Sequence, residues 1–117
     1  MTDFRLAPPT PELPVPDVRA AQEYYRDTLG FEIAWYNAEG RIGAVAHGDC
    51  AIFFREAASD ISPATFWIFS AELDAAHSAL VARGADIVSP LQNTDYGLRQ
   101  FTVRDPYGNR FHIFCDL

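Results

Sequence analysis

Apolar positions in this chain recur with two periods, and the switches between them divide it into elements. Val18, Ala21, Tyr25 and Leu29 fall three and four apart, the spacing of one helical face. Asp17 precedes them as a capping residue and Gly30 follows where a helix ends, so a helix is expected from Val18 to Leu29. A second helix is expected from Glu72 to Arg83, with Leu73, Ala76 and Leu80 on one side and Gly84 as its stop. Elsewhere the period is two. Glu32 to Tyr36, Arg41 to Ala46, Cys50 to Glu56, Thr65 to Phe69 and Asp86 to Ser89 read as strands, parted by the turns Asn37 to Gly40 and His47 to Asp49 and by the connector Ala57 to Pro63. Pro90 to Asp95 is expected to be a loop. Before Asp17 stand Pro8, Pro9, Pro11, Pro14 and Pro16, which exclude a helix there, so Leu13 and Val15 belong to a short edge strand entered through a stiff arm.

The last stretch, Tyr96 to Phe114, reads as a hairpin closed by Asp105-Pro106-Tyr107-Gly108-Asn109. If Arg104 faces Arg110, then Thr102 lies opposite His112 and Gln100 opposite Phe114 on one face, while Phe101, Val103, Phe111 and Ile113 share the other. The second face is a core. The first is either the wall of a binding cavity or the solvated side of an antiparallel sheet. Phe53, Trp67 and Phe69 lie on strands apolar on both faces, which points either to a ligand or to a core or subunit contact on the side the helices do not cover.

The order of elements repeats. Asp17-Val18-Arg19-Ala20-Ala21 and Glu72-Leu73-Asp74-Ala75-Ala76 open the two helices 55 positions apart, and each half reads strand, helix, three strands. The predicted class is α+β: one domain over residues 1–117, built from two βαβββ modules at about 10–56 and 65–115, with curved sheets around a cavity.

Charge narrows the partners. The formal net charge is −7, and the nine basic residues are all arginine and scattered singly, a pattern that excludes a phosphate-binding surface and hence nucleic acid. No apolar run approaches the ~20 residues of a membrane span, and the start of the chain lacks a basic-then-apolar leader, so a cytoplasmic protein without membrane contact is expected. Cys50 and Cys115 have neither CxxC nor metal-type spacing and are expected as reduced thiols. No nucleophile-and-base arrangement or phosphate loop stands out.

PELPVPDV (Pro11 to Val18), EYYRDTLGF (Glu23 to Phe31), ALVARGADIV (Ala79 to Val88) and above all YGLRQFTVRDPYGNRFHIF (Tyr96 to Phe114) resemble the vicinal oxygen chelate superfamily. This group holds glyoxalase I, extradiol dioxygenases and bleomycin-resistance proteins. The resemblance covers the chain from about Pro11 onward and implies the fold more firmly than a reaction. Carried onto this sequence, the metal-ligand slots of the chelating members fall at Thr10, Phe53, Thr65 and His112. One imidazole with a phenylalanine and two threonines does not make the shell that Fe, Ni or Zn requires, so neither metal nor other cofactor is expected.

The resemblance then points to the bleomycin-resistance branch. It implies a homodimer in which the proline-bearing arm crosses to the partner, and binding without chemical change of a flat cationic antibiotic or similar compound in clefts between subunits. Trp35, Ile42, Phe53, Thr65, Trp67, Tyr96, Thr102 and His112 are the ligand-binding candidates, the rings to stack and His112, Thr65 and Thr102 to orient. The alternatives are a lyase or isomerase of the same fold with His112 as base, and a metabolite-binding module without a resistance role.

Overall fold

The computed structural model describes residues 3–117 and resolves the two periods into eight strands and two helices. In chain order they are β1 (Glu12–Val15), α1 (Val18–Leu29), β2 (Glu32–Asn37), β3 (Ile42–His47), β4 (Cys50–Glu56), β5 (Thr65–Phe69), α2 (Leu73–Ala82), β6 (Asp86–Asn93), β7 (Leu98–Arg104) and β8 (Arg110–Asp116). Two four-stranded sheets form, ordered β1-β4-β3-β2 and β5-β8-β7-β6. In each, the first strand runs parallel to the last and the remaining pairs are antiparallel. The α+β class and the duplicated βαβββ order are as expected.

The duplication extends to an irregularity. The outer strand of the first sheet skips a residue between Ile33, opposite Val45, and Trp35, opposite Ala44. The outer strand of the second does the same between Ile87, opposite Val103, and Ser89, opposite Thr102. A bulge twists an outer strand and re-aims the side chain after it, here Trp35 and Ser89.

Helix α1 is locally well specified. The Asp17 carboxylate accepts from the Ala20 N–H at 3.1 Å, and Gly30 closes the helix at φ 78°. Gly43 lets β3 lie against this helix, because a Cβ there would stand 2.7 Å from Gln22 Nε2 and 2.8 Å from Val18 Cγ1. One buried cluster, from Leu13, Val15 and Tyr25 through Phe54 to Phe101 and Phe111, joins both modules. It lies on the helix-bearing side of the sheets.

The modules are also joined by polar groups. Asp105 Oδ1 accepts from the N–H groups of Tyr107 at 2.9 Å and Asn109 at 2.8 Å, and Oδ2 accepts from Asn109 Nδ2 at 2.8 Å and the Tyr25 hydroxyl at 2.5 Å. Burial first, and the Asp105 charge second, push the Tyr25 phenol far above its ordinary range. The turn between β7 and β8 thereby anchors the first module's helix to the second module. At the other end Arg83 donates to the carbonyls of Arg26 and Asp27 at 3.3 and 3.2 Å, placing a cation at the end of α1.

Three expectations are corrected. Pro90 to Asp95 is not simply a loop: β6 continues to Asn93, and the pairing skips Pro90 between Ser89 and Gln92. Proline is tolerated because β6 is an outer strand, where a missing N–H breaks no ladder. Strand β3 begins at Ile42, since Arg41 adopts φ 52° within the turn. Tyr96 and Gly97 stand before β7, which starts at Leu98.

Candidate functional site

Away from the helices each sheet presents an open face whose residues follow from the register. In the first sheet a row runs Glu12, Phe53, Ala44, Trp35 across β1, β4, β3 and β2. Trp35 and Phe53 meet edge to face, centroids 5.1 Å apart. Ile42 lies in the next row between Arg55 and Asn37.

The equivalent row of the second sheet runs Trp67, His112, Thr102, Ser89. Trp67 tilts over the imidazole of His112 at 4.4 Å, and His112 Nδ1 shares a hydrogen bond with Thr102 Oγ1 at 2.6 Å. One row on, Phe114 packs edge to face against both Trp67 and Phe69 at 5.7 Å. Trp35 is 42% exposed, Trp67 50% and Phe69 57%. Large rings left so open on the outer strands β2 and β5 form apolar surface rather than core.

The candidates fall into two groups. Trp35, Phe53 and Ile42 come together on the first sheet, and Trp67, His112 and Thr102 on the second. Thr65 is two residues from Trp67 on the same side, opposite Arg110 rather than His112. Tyr96 stands at the margin, its hydroxyl donating to Gln100 Oε1 at 3.0 Å. With Gln92, Asn93, Thr94, Asp95 and Gln100 it rims a shallow depression of about 320 Å³. A second, of about 330 Å³, lies between the start of α2 and Arg99 with Cys115, away from the rings.

Two contributors escaped the candidate set. Phe114 completes the ring cluster, and its place was legible from the two-residue step after His112 and its pairing with Gln100. Gln22 was not legible. It sits on α1 among apolar neighbours, 2% exposed, and its Nε2 donates to the carbonyls of Trp35 at 2.8 Å and Ala44 at 3.1 Å. It thus holds the backbone where the bulge aims Trp35. Only the packing of α1 on β2 and β3 reveals this role.

The surface arginines also sort themselves. Arg55 pairs with Glu12 at 3.0 Å on the open face. Arg99 projects to the helix side and pairs with Asp74 at 3.0 Å.

The slots where chelating relatives hold a metal can now be placed. Phe53 lies opposite Glu12 and His112 opposite Trp67, so Thr10 and Thr65 each stand two residues before those partners, by the same offset in both modules. Thr10 precedes β1. Among the described residues no three His, Cys, Asp or Glu side chains come together, and the Nδ1 of the one imidazole in the set is engaged by Thr102. These residues do not fit a divalent metal.

Solved structures share the whole architecture. TioX from Micromonospora sp. ML1 is 25% identical with a TM-score of 0.80, over 95% of this chain and 100% of that one. A glyoxalase/bleomycin resistance protein/dioxygenase from Nocardioides superposes with a TM-score of 0.72 at 20% identity, over 97% of this chain and 87% of the other. A glyoxalase-related enzyme from Clostridium phytofermentans gives 0.79 at 14% identity, over the full length of both. No match is found among curated proteins. The family model of the glyoxalase/bleomycin resistance protein/dioxygenase superfamily matches residues 7–113. With eight strands in two matching modules and a model match over nearly its whole length, this chain belongs to the glyoxalase/bleomycin resistance protein/dioxygenase superfamily.

Proposed function

We propose that this protein binds a small, flat, ring-bearing compound, an antibiotic or a molecule like one, and sequesters it without altering it. The observation that carries this reading is the pair of open sheet faces, on which the rings of Trp35, Trp67 and Phe69 stand exposed beside Phe53 and His112. Rings on a rigid sheet offer flat apolar contact without ordering cost, and stacking adds about 0.5–1.5 kcal/mol per pair beyond burial. Trp35, Ile42 and Phe53 form one wall, and Trp67, Thr65, Thr102 and His112 form the other, with Tyr96 at its edge.

The two walls meet in a cleft completed by a second copy of the chain. Each open face lacks a covering layer from its own module's helix, and Phe4 and Leu6 on the arm before β1 are exposed, which supports an arm seated on a partner. A cytoplasmic location is part of the proposal. Among the described residues no helix is long and apolar enough to cross a membrane.

A second reading rests on one contact. Because Thr102 holds Nδ1 of His112, the imidazole is fixed with Nε2 as its remaining polar atom, an arrangement suited to proton transfer in a lyase or isomerase. One experiment separates the two. Acridine is titrated in chelator against tryptophan fluorescence, and the compound is then recovered and its mass measured. Saturable micromolar quenching with the compound returned intact is expected. A ligand returned altered favours the His112 reading, and stoichiometric Ni, Zn or Fe in the purified protein contradicts the sequestering one.

A further inference from the structure

The chain is strongly acidic, and an acidic surface draws cations over distance. The charge is not spread evenly. On the open face of the first sheet stand Glu12 and Arg55, bonded to each other at 3.0 Å, and Glu32, opposite Ala46. On that of the second stand Asp86 and Arg104, also bonded at 3.0 Å, with Arg110 opposite Thr65 and Asp116 opposite Leu98. Four acidic and three basic side chains leave these faces with one surplus negative charge out of the net −7. Of the other acidic groups, Asp95 stands at the margin beside Tyr96, and the rest lie on the arm, helices, turns and connectors or on the helix-facing side, as Asp27 and Asp74 do.

The groups nearest Trp35 and Trp67 are neutral or neutralised. Phe53, Ala44, Ala51 and Ile42 surround Trp35, while Thr65, Phe69, Phe114 and the His112–Thr102 pair surround Trp67. No carboxylate shares the Trp67 row, and the one in the Trp35 row, Glu12, is held by Arg55. A cation stacked on either ring would give up hydration without meeting a carboxylate free to compensate. An uncharged ring system loses little water and gains the same contact. One surplus charge spread over both faces, screened within about 10 Å at ordinary salt, favours a cation only slightly.

Resting on the ring-binding function proposed above, we infer that the ligand class is uncharged planar aromatics, and that the chain's acidity plays no part in recognition. The test uses two ring systems of one shape: acridine, at a pH where it is neutral, and N-methylacridinium, a permanent cation. The chain has two tryptophans, Trp35 and Trp67, one on each open face, so intrinsic fluorescence reports both sites. Trp35→Phe and Trp67→Phe each leave a single reporter.

Both probes are titrated at low and at physiological salt. The cation is expected to bind more weakly than acridine, with little change between the two salts. A preference for the cation, lost as salt rises, overturns the inference while leaving ring binding intact. Absence of quenching by either probe overturns both the inference and the ring-binding function beneath it.

Discussion

The two sheets are one backbone used twice, and their side chains agree on one face and diverge on the other. On the helix side Ile33 and Val45 correspond to Ile87 and Val103, paired in the same way beside the same bulge. On the open side Glu12, Phe53, Ala44 and Trp35 correspond to Trp67, His112, Thr102 and Ser89, and no position keeps its chemistry. The agreeing face is buried and must pack; the diverging face is buried at the inner positions Ala44 and Thr102 but open at Trp35 and Trp67. Stability and recognition therefore occupy opposite sides of each strand.

Neighbouring residues on β4 give the sharpest break of that division. Phe54 is fully buried and packs edge to face on Tyr25 at 4.8 Å, whereas Phe53 faces outward. Phe54→Ala is expected to cost ~3–5 kcal/mol, read as a lower urea midpoint with the slope preserved. Phe53→Ala should cost less than half as much and instead weaken quenching by ring compounds. Equal losses from the two would show that the open face is a core.

The joint between the modules comes next. Asp105→Ala leaves the Tyr25 hydroxyl, the Asn109 amide and two backbone N–H groups without an acceptor, so a loss of about 3 kcal/mol is expected. Thermal unfolding followed separately through near- and far-ultraviolet dichroism should then lose coincidence as the modules uncouple. Two transitions that stay superimposed would place the coupling in the apolar cluster alone.

Alkali probes the same joint. The Tyr25 phenol is raised in the folded state, so its contribution is complete below the unfolded value near 10 and is lost as pH rises beyond it. There the unfolded chain releases a proton that the folded chain keeps, and stability falls by about 1.4 kcal/mol per pH unit for this group. Tyr24 and Tyr107, also raised by burial, steepen the fall. Tyr25→Phe should make the decline between about pH 10 and 11 shallower by one proton's worth, measured by urea titration. An unchanged slope would remove Tyr25 from the joint.

Gln22→Ala asks whether the bulge needs its support. Removing the two donated bonds is expected to cost about 1–2 kcal/mol and to alter the Trp35 emission, while Trp67, seen alone in a Trp35→Phe background, stays unchanged. The smallest effect is expected from Arg55→Ala. An exposed pair of this kind contributes ~0–1 kcal/mol, so denaturation should barely shift.

How much was visible beforehand follows from the range of each interaction. Helix α1, its cap at Asp17, its stop at Gly30 and the facing of Thr102 with His112 depend on periods and turns within a few residues, and they stand as read. The course of β6 through Pro90 was missed because only its outer place in the sheet makes that proline harmless. Thr65 and His112 were named together as orienting residues, but the offset between parallel strands is not written in either strand, and it is Trp67 that lies opposite His112. The pairing of Arg99 with Asp74 likewise depends on which side of β7 meets α2.

The amino-acid order alone determined the two modules and the core-facing set, since both are matters of residue type and short-range spacing. Tertiary structure alone decided that Gln22 supports Trp35, that Tyr25 and Asp105 lock the modules together, and that the rings gather on faces with almost no net charge. The reason is physical. Period and turn chemistry act between residues adjacent along the backbone, whereas a buried hydrogen bond across 80 positions or a balance of charge over a sheet exists only once distant segments have packed.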